Sequence, residues 1–280
     1  MADEKKKGDL LPRLITAAIG VPILLWLAIL CPNWSIWLLY AIASSIAMQE
    51  WGSMCLGKLG IAGWIAVTGP FALLSAAYWG TPVSLYATAA LIVMTVTVAS
   101  VWTGAVEGAA KRITALLGGL VYTTVLFGGL LLLVADPAHP GVNAEYQGGW
   151  VLFPMFVIWS GDTGAYFAGR TFGKHKLSLR LSPKKTWEGA IGGTIASVGG
   201  GLLCMVLLLP HVEVWQVIVL ALPAAILGQI GDLCESAMKR ATGVKDSGRI
   251  LYGHGGMLDR VDGLIFAAPY VAVVKLLLEL

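Results

Sequence analysis

Between Gly231 and Asp262 the chain reads GDLCESAMKRATGVKDSGRILYGHGGMLDRVD. This run gathers the acids Asp232, Glu235, Asp246, Asp259 and Asp262, the bases Lys239, Arg240, Lys245, Arg249 and Arg260, then His254 and the pair Gly255-Gly256. Carboxylates hold hard cations, while basic side chains and backbone amides at a Gly-rich turn hold phosphate. These residue types therefore describe a site for a metal-bound polyphosphate. The same charges would also suit a solvated loop between membrane helices, so spacing has to separate the two readings. Asp259 and Asp262 are three apart and share one helical face. Asp232 is expected to close the preceding helix at the same membrane surface, so that the intervening loop brings Asp232 and Asp259 together to hold Mg²⁺. Mg²⁺ prefers one or two carboxylates, waters and substrate phosphate oxygens. His254 could contact a nucleotide or merely hydrogen-bond its turn, and Gly255-Gly256 would let the backbone approach a phosphate closely.

A second cluster, WSGDTGAYFAGRTFGKHKLSLRLSPKKTWEG, spans 159–189. Asp162 is its most informative residue, because a carboxylate inside a membrane segment costs on the order of 3 kcal/mol and usually faces a polar cavity or a partner. Eight residues before Arg170, it lies about 12 Å from that end at helical rise. Ser182-Pro183 reads as a turn before a helix. Lys184, Lys185 and Thr186 then place two cations and a hydroxyl beside the unpaired amides of a helix N-terminus, which suits a triphosphate. A Lys pair at a cytoplasmic helix end also satisfies the positive-inside rule alone, and Glu188 reads equally well as a first-turn acid.

The spacing of Ser236, Lys239-Arg240, Lys245-Asp246, His254-Gly255-Gly256 and Asp259-Arg260-Val261-Asp262 resembles the signature of the phosphatidate cytidylyltransferases, or CDP-diacylglycerol synthases. Gly161-Asp162, Ala165-Tyr166, Gly169-Arg170, Gly173 and the run Ser182 to Gly189 extend the resemblance over most of the chain after residue 149. The sequence departs from the pattern at Tyr252, where the family usually carries Pro, and at Gly263, where it usually carries Ser; neither change removes a charged group. The resemblance implies transfer of a cytidylyl group from CTP to phosphatidate. It implies Asp232 and Asp259 as Mg²⁺ ligands and catalytic groups with Lys239 and Arg240, and it allows a second cation such as K⁺. It assigns substrate binding to Asp162, Ser182, Lys184, Lys185, Thr186, Lys245, His254, Gly255 and Gly256. The resemblance also suggests a homodimer and the bacterial inner membrane, and the placing of Lys and Arg is expected to put the active site at the cytoplasmic face.

The elements that must position these residues are apolar helices. Of 280 residues 57% are hydrophobic and 12% charged, with mean hydropathy +0.78, whereas a soluble domain carries about 25% charged residues. The expected fold is an all-α, polytopic integral membrane protein of about nine transmembrane helices, taking about 20 residues per span. The segments run near 14–32, 34–54, 59–79, 83–103, 113–135, 149–170, 187–209, 214–234 and 262–279. A retained first helix, not a cleaved signal peptide, is expected, since no small-x-small site follows it. With the N-terminus cytoplasmic, every Lys and Arg except Lys275 falls on one side, as the positive-inside rule requires. The first five segments are almost uncharged, so residues 1–148 are expected to form a packing and lipid-binding half and residues 149–280 a catalytic half. The net charge of +3 does not suggest nucleic acid as a partner. The four Cys residues show no metal or disulfide pattern. Two other readings stay open: a CTP-dependent lipid kinase, and an ion-coupled transporter using Asp162 and Glu50.

Overall fold

The structure, a computed structural model, describes residues 18–126, 128–134, 146–248, 250 and 255–280. His254, Arg249, Tyr252, the basic stretch Lys5 to Arg13 and most of the expected external loop at 136–148 lie outside the described residues.

Helices dominate: α1 (Ala18–Leu30), α2 (Asn33–Leu56), α3 (Ile61–Trp79), α4 (Pro82–Trp102), α5 (Ala109–Leu120), α6 (Gly129–Leu132), α7 (Gln147–Phe172), α8 (Trp187–Leu208), α9 (Val214–Ala241) and α10 (Leu258–Leu277). Among the described residues five spans are long and apolar enough to cross a membrane: α3, α4, the α5–α6 run, α8 and α9. Large apolar side chains such as Tyr86, Met94, Ile195 and Val206 point outward from these helices. Water would penalise that surface and lipid accepts it.

The structure is nearly all-α as expected, and three features depart from the expected segments. The segment near 113–135 is interrupted by a π turn at Val121–Val125, and the Ser44 hydroxyl of α2 donates to the Thr123 carbonyl there at 2.6 Å. Lys176–Ser178 (β1) and Ser182–Thr186 (β2) pair as an antiparallel hairpin. Lys184 and Lys185 therefore lie on a strand, with Thr186 as the N-cap of α8 accepting from the Gly189 amide at 3.2 Å. Finally, α9 does not stop near residue 234. Its 28 residues span about 42 Å, longer than the about 30 Å hydrocarbon core, so Asp232 sits within the helix and Lys239 and Arg240 belong to its last turns.

The hairpin is fixed to α8 by Glu188, whose carboxylate accepts from the Lys174 and His175 amides and meets His175 Nδ1 at 2.6 Å. Close approach of α7 and α8 depends on small residues. A Cβ on Gly164 would run into Ala196, and one on Gly192 into Ala168, the small-residue contact that lets membrane helices pack backbone to backbone. Polar side chains bridge neighbours: Ser197 Oγ donates to the Val157 carbonyl at 2.7 Å, and Gln229 Nε2 to the Ala190 carbonyl at 3.1 Å. The core itself crosses residue 148, joining Ile36 and Tyr40 to Trp150, Phe153, Leu220 and Ile265. Lys275, the cation outside the sequence scheme, is buried with its ammonium 5.3 Å from the Trp150 ring centroid, an arrangement that the ring quadrupole favours.

Candidate active site

The ends of α7 and α9, the starts of α8 and α10 and the hairpin enclose a cleft of about 1050 Å³. One wall is α9, which puts Gln229, Asp232 and Lys239 in the lining, while α7, β2 and α10 supply most of the other polar groups. Asp232, Glu235, Ser236 and Lys239 recur at offsets of three, four and seven, which places them on one helical face. Asp232 is 18 residues from Val214, about 27 Å along the helix, and so near the far edge of a hydrocarbon core that α9 enters at its start.

Two linked charge clusters occupy this wall. In the first, ligand oxygens of Asp232, Glu235 and Asp262 all lie within 4.8 Å of one another. Lys185 of β2 ion-pairs with Asp232 Oδ2, and Ser236 Oγ lies 3.5 Å from Oδ1. In the second, Lys239 Nζ bridges Glu235 at 2.5 Å and Asp259 at 2.7 Å. Asp259 Oδ2 accepts from the Ser247 and Gly256 amides at 3.0 and 2.9 Å. One cation and two backbone amides thus engage Asp259. The carboxylates that converge on Asp232 are Glu235 and Asp262.

The other residues singled out by sequence divide. Asp162, Lys184, Lys185, Thr186, Lys239, Lys245 and Gly255 line the cleft. Ser182 and Arg240 are not part of its lining, and Arg240 is exposed at the end of α9. The Thr186 hydroxyl is occupied as a helix cap. Gly255 has φ +84°, a left-handed conformation that favours glycine. The amide of Gly256 is given to Asp259. Arg260, not among the residues singled out for binding, adds a cation to the lining.

Sequence reasoning gave Glu235 no role, although its offset of three from Asp232 was a usable signal. Glu50, on α2, entered only the transporter reading. It is buried and reaches the amides at the start of α10, a contact across more than 200 residues with no local signature.

A family model described as the cytidylyltransferase family matches residues 11–278, nearly the full chain. The chain belongs to the cytidylyltransferase family. Over 118 residues, 42% of this chain and 43% of the relative, it is 57% identical to a protein of Brucella suis named phosphatidate cytidylyltransferase. Over 125 residues, 45% of this chain and 48% of the relative, it is 46% identical to a Staphylococcus saprophyticus protein of the same name. The aligned stretch thus spans somewhat less than half the length of these relatives. In this cytidylyltransferase-family chain the cleft lining combines Asp232 and Asp262, on which the buried Glu235 converges, with Lys184, Lys185, Lys245 and Arg260. Such a wall can hold a hard cation and neutralise a polyphosphate without a nucleophilic side chain.

Proposed function

We propose that the chain transfers the cytidylyl group of CTP to phosphatidate, releasing pyrophosphate and forming CDP-diacylglycerol. The observation that carries this reading is the joining, in one cleft at the end of a membrane-length helix, of a carboxylate trio and a set of cations. A lipid phosphate and a soluble triphosphate could meet there. A phosphatidate oxygen, already anionic at neutral pH, would attack the α-phosphorus of CTP. The bond from that phosphorus to the α,β-bridging oxygen would break, and its electron pair would leave with pyrophosphate. No general base is needed. Lys184, Lys185, Lys245 and Arg260 would offset the repulsion between the two anions and stabilise the leaving group.

The donor set suits Mg²⁺: all three converging side chains offer carboxylate oxygens and one, Glu235, is fully buried. Asp232, with Glu235 and Asp262, would hold the ion. Once bound it would polarise phosphate oxygens as a Lewis acid. Asp259, supported by Lys239, Ser247 and Gly256, would keep Lys239 oriented beside that site. The same reading places the cleft at the cytoplasmic surface, because the loops assigned to the other side, Pro32-Asn33, Gly80 to Pro82, Asp136 to Gly148 and Pro210 to Glu213, contain no Lys or Arg.

The test uses purified full-length protein in detergent with phosphatidate, Mg²⁺ and CTP labelled in turn at the α- and γ-phosphates. Label from α in the lipid product and from γ in pyrophosphate is expected. Appearance of γ label in lipid would replace the proposal with a lipid kinase, and solute uptake by proteoliposomes without turnover would replace it with a carrier.

A further inference from the structure

The amino-terminal helices contribute little to the cleft lining, yet one of their side chains is built into the loop that borders it. Glu50 lies in α2, six residues before its end, and is 3% exposed. Its Oε1 accepts from the Met257 amide at 3.0 Å. Its Oε2 accepts from the Leu258 amide at 2.9 Å and from Ser247 Oγ at 3.1 Å. Met257 and Leu258 are the N-cap and first residue of α10, a helix whose N-cap side chain supplies no hydrogen bond of its own. The first amides of a helix have no partner within it and carry its positive dipole end. A carboxylate from another helix satisfies both requirements.

Ser247 is the hinge of this arrangement. Its hydroxyl gives its proton to Glu50 and lies 3.3 Å from the Asp259 amide as acceptor, while its own amide donates to Asp259 Oδ2. Two glycines make room. A Cβ on Gly256 would reach 2.5 Å from Glu50 Oε2 and collide with Ser247 Oγ, and a Cβ on Gly248 would run into Glu50 Oε1. The close backbone approach made by Gly256 is thus to protein carboxylates.

We propose that Glu50 is a positioning residue for the cleft. It clamps Ser247 to Met257-Leu258 and so fixes Asp259, and through Asp259 the orientation of Lys239. The contacts are independent of the reaction, and the consequence for turnover rests on the cytidylyl-transfer reading.

Glu50→Gln keeps size and one acceptor, but the new amide nitrogen is a donor facing another donor, either at Met257 or at Leu258 and Ser247. Ser247→Ala removes the hinge hydroxyl without touching α2. Hydrogen exchange of the detergent-purified full chain reads the clamp directly. In both variants amides 256–259 are expected to exchange at least tenfold faster while α7 and α8 stay at wild-type rates. In the kinetic arm, kcat/KM for CTP is expected to fall at least tenfold with KM for phosphatidate within twofold. The double variant should lose no more than the worse single variant, because both act through one contact. Unchanged exchange at 256–259 in Glu50→Gln, uniformly faster exchange throughout, or multiplying losses in the double variant would overturn the proposal. Wild-type protein that makes no cytidylyl lipid would sink the reaction reading alone, since the exchange result still decides the role of Glu50.

Discussion

Lys239 should be among the most costly positions in the protein to neutralise. Its side chain is 13% exposed and bridges Glu235, at 0%, and Asp259, at 8%. Lys239→Met keeps much of the stem volume but leaves two carboxylates facing each other with their shared cation gone. Breaking a buried ion pair from one side typically costs about 3–5 kcal/mol. Asp259 retains the Ser247 and Gly256 amides, so most of the cost falls on Glu235, and about 4 kcal/mol is expected. That is about a thousandfold in the folded-to-unfolded ratio, since 1.36 kcal/mol is tenfold. Reversible unfolding by SDS in mixed micelles would measure it. Lys239→Met combined with Glu235→Gln removes the stranded charge and should recover more than half of the loss. A single variant within 1 kcal/mol of wild type, or a double variant less stable than the single, would refute the bridging argument.

Gly164→Leu should push α7 from α8 and cost about 1–3 kcal/mol as an overpacked interface, whereas Gly199→Leu, on α8 with no atom within 4 Å of its added Cβ, should be near neutral; the same SDS titration distinguishes them. In a background lacking the native Cys residues, Leu179→Cys on the exposed hairpin should react with an impermeant maleimide from the cytoplasmic side and Val83→Cys, at the exposed start of α4, from the opposite side. Labelling of both from one side would break the proposed orientation.

Much of the site was legible because its chemistry is concentrated. Acids and bases are scarce in this chain, so Asp162, Lys184, Lys185, Asp232, Lys239 and Asp259 stood out against apolar surroundings, and all six line one cleft. Hydropathy, however, marks where lipid ends and not where a helix ends. Glu235 to Arg240 are mostly good helix formers, so α9 continues into the polar phase and carries Lys239 to Asp259. The hairpin left little trace, because the alternation of Leu177, Leu179 and Leu181 with Ser178, Arg180 and Ser182 falls largely on its turn at 179–181 and its strands are only three and five residues long. A Lys pair before a helix masked it. The Lys239–Glu235 contact is an i,i+4 pair that sequence can supply. The partners of Glu50 and the pairing of Lys185 with Asp232 arise only when distant helices pack, and no local pattern encodes them.

If the cleft around Asp232 carries out the transfer, Asp232→Asn should remove most of it. The substitution preserves size and a carbonyl oxygen while removing the charge that competes with water for Mg²⁺. Wild-type and variant protein, matched for elution and unfolding midpoint, would be compared for release of labelled pyrophosphate from CTP with phosphatidate at limiting Mg²⁺. A loss of at least about 100-fold, equivalent to about 2.7 kcal/mol of transition-state stabilisation, is predicted. Turnover of Asp232→Asn within threefold of wild type would show that the transfer does not depend on this carboxylate.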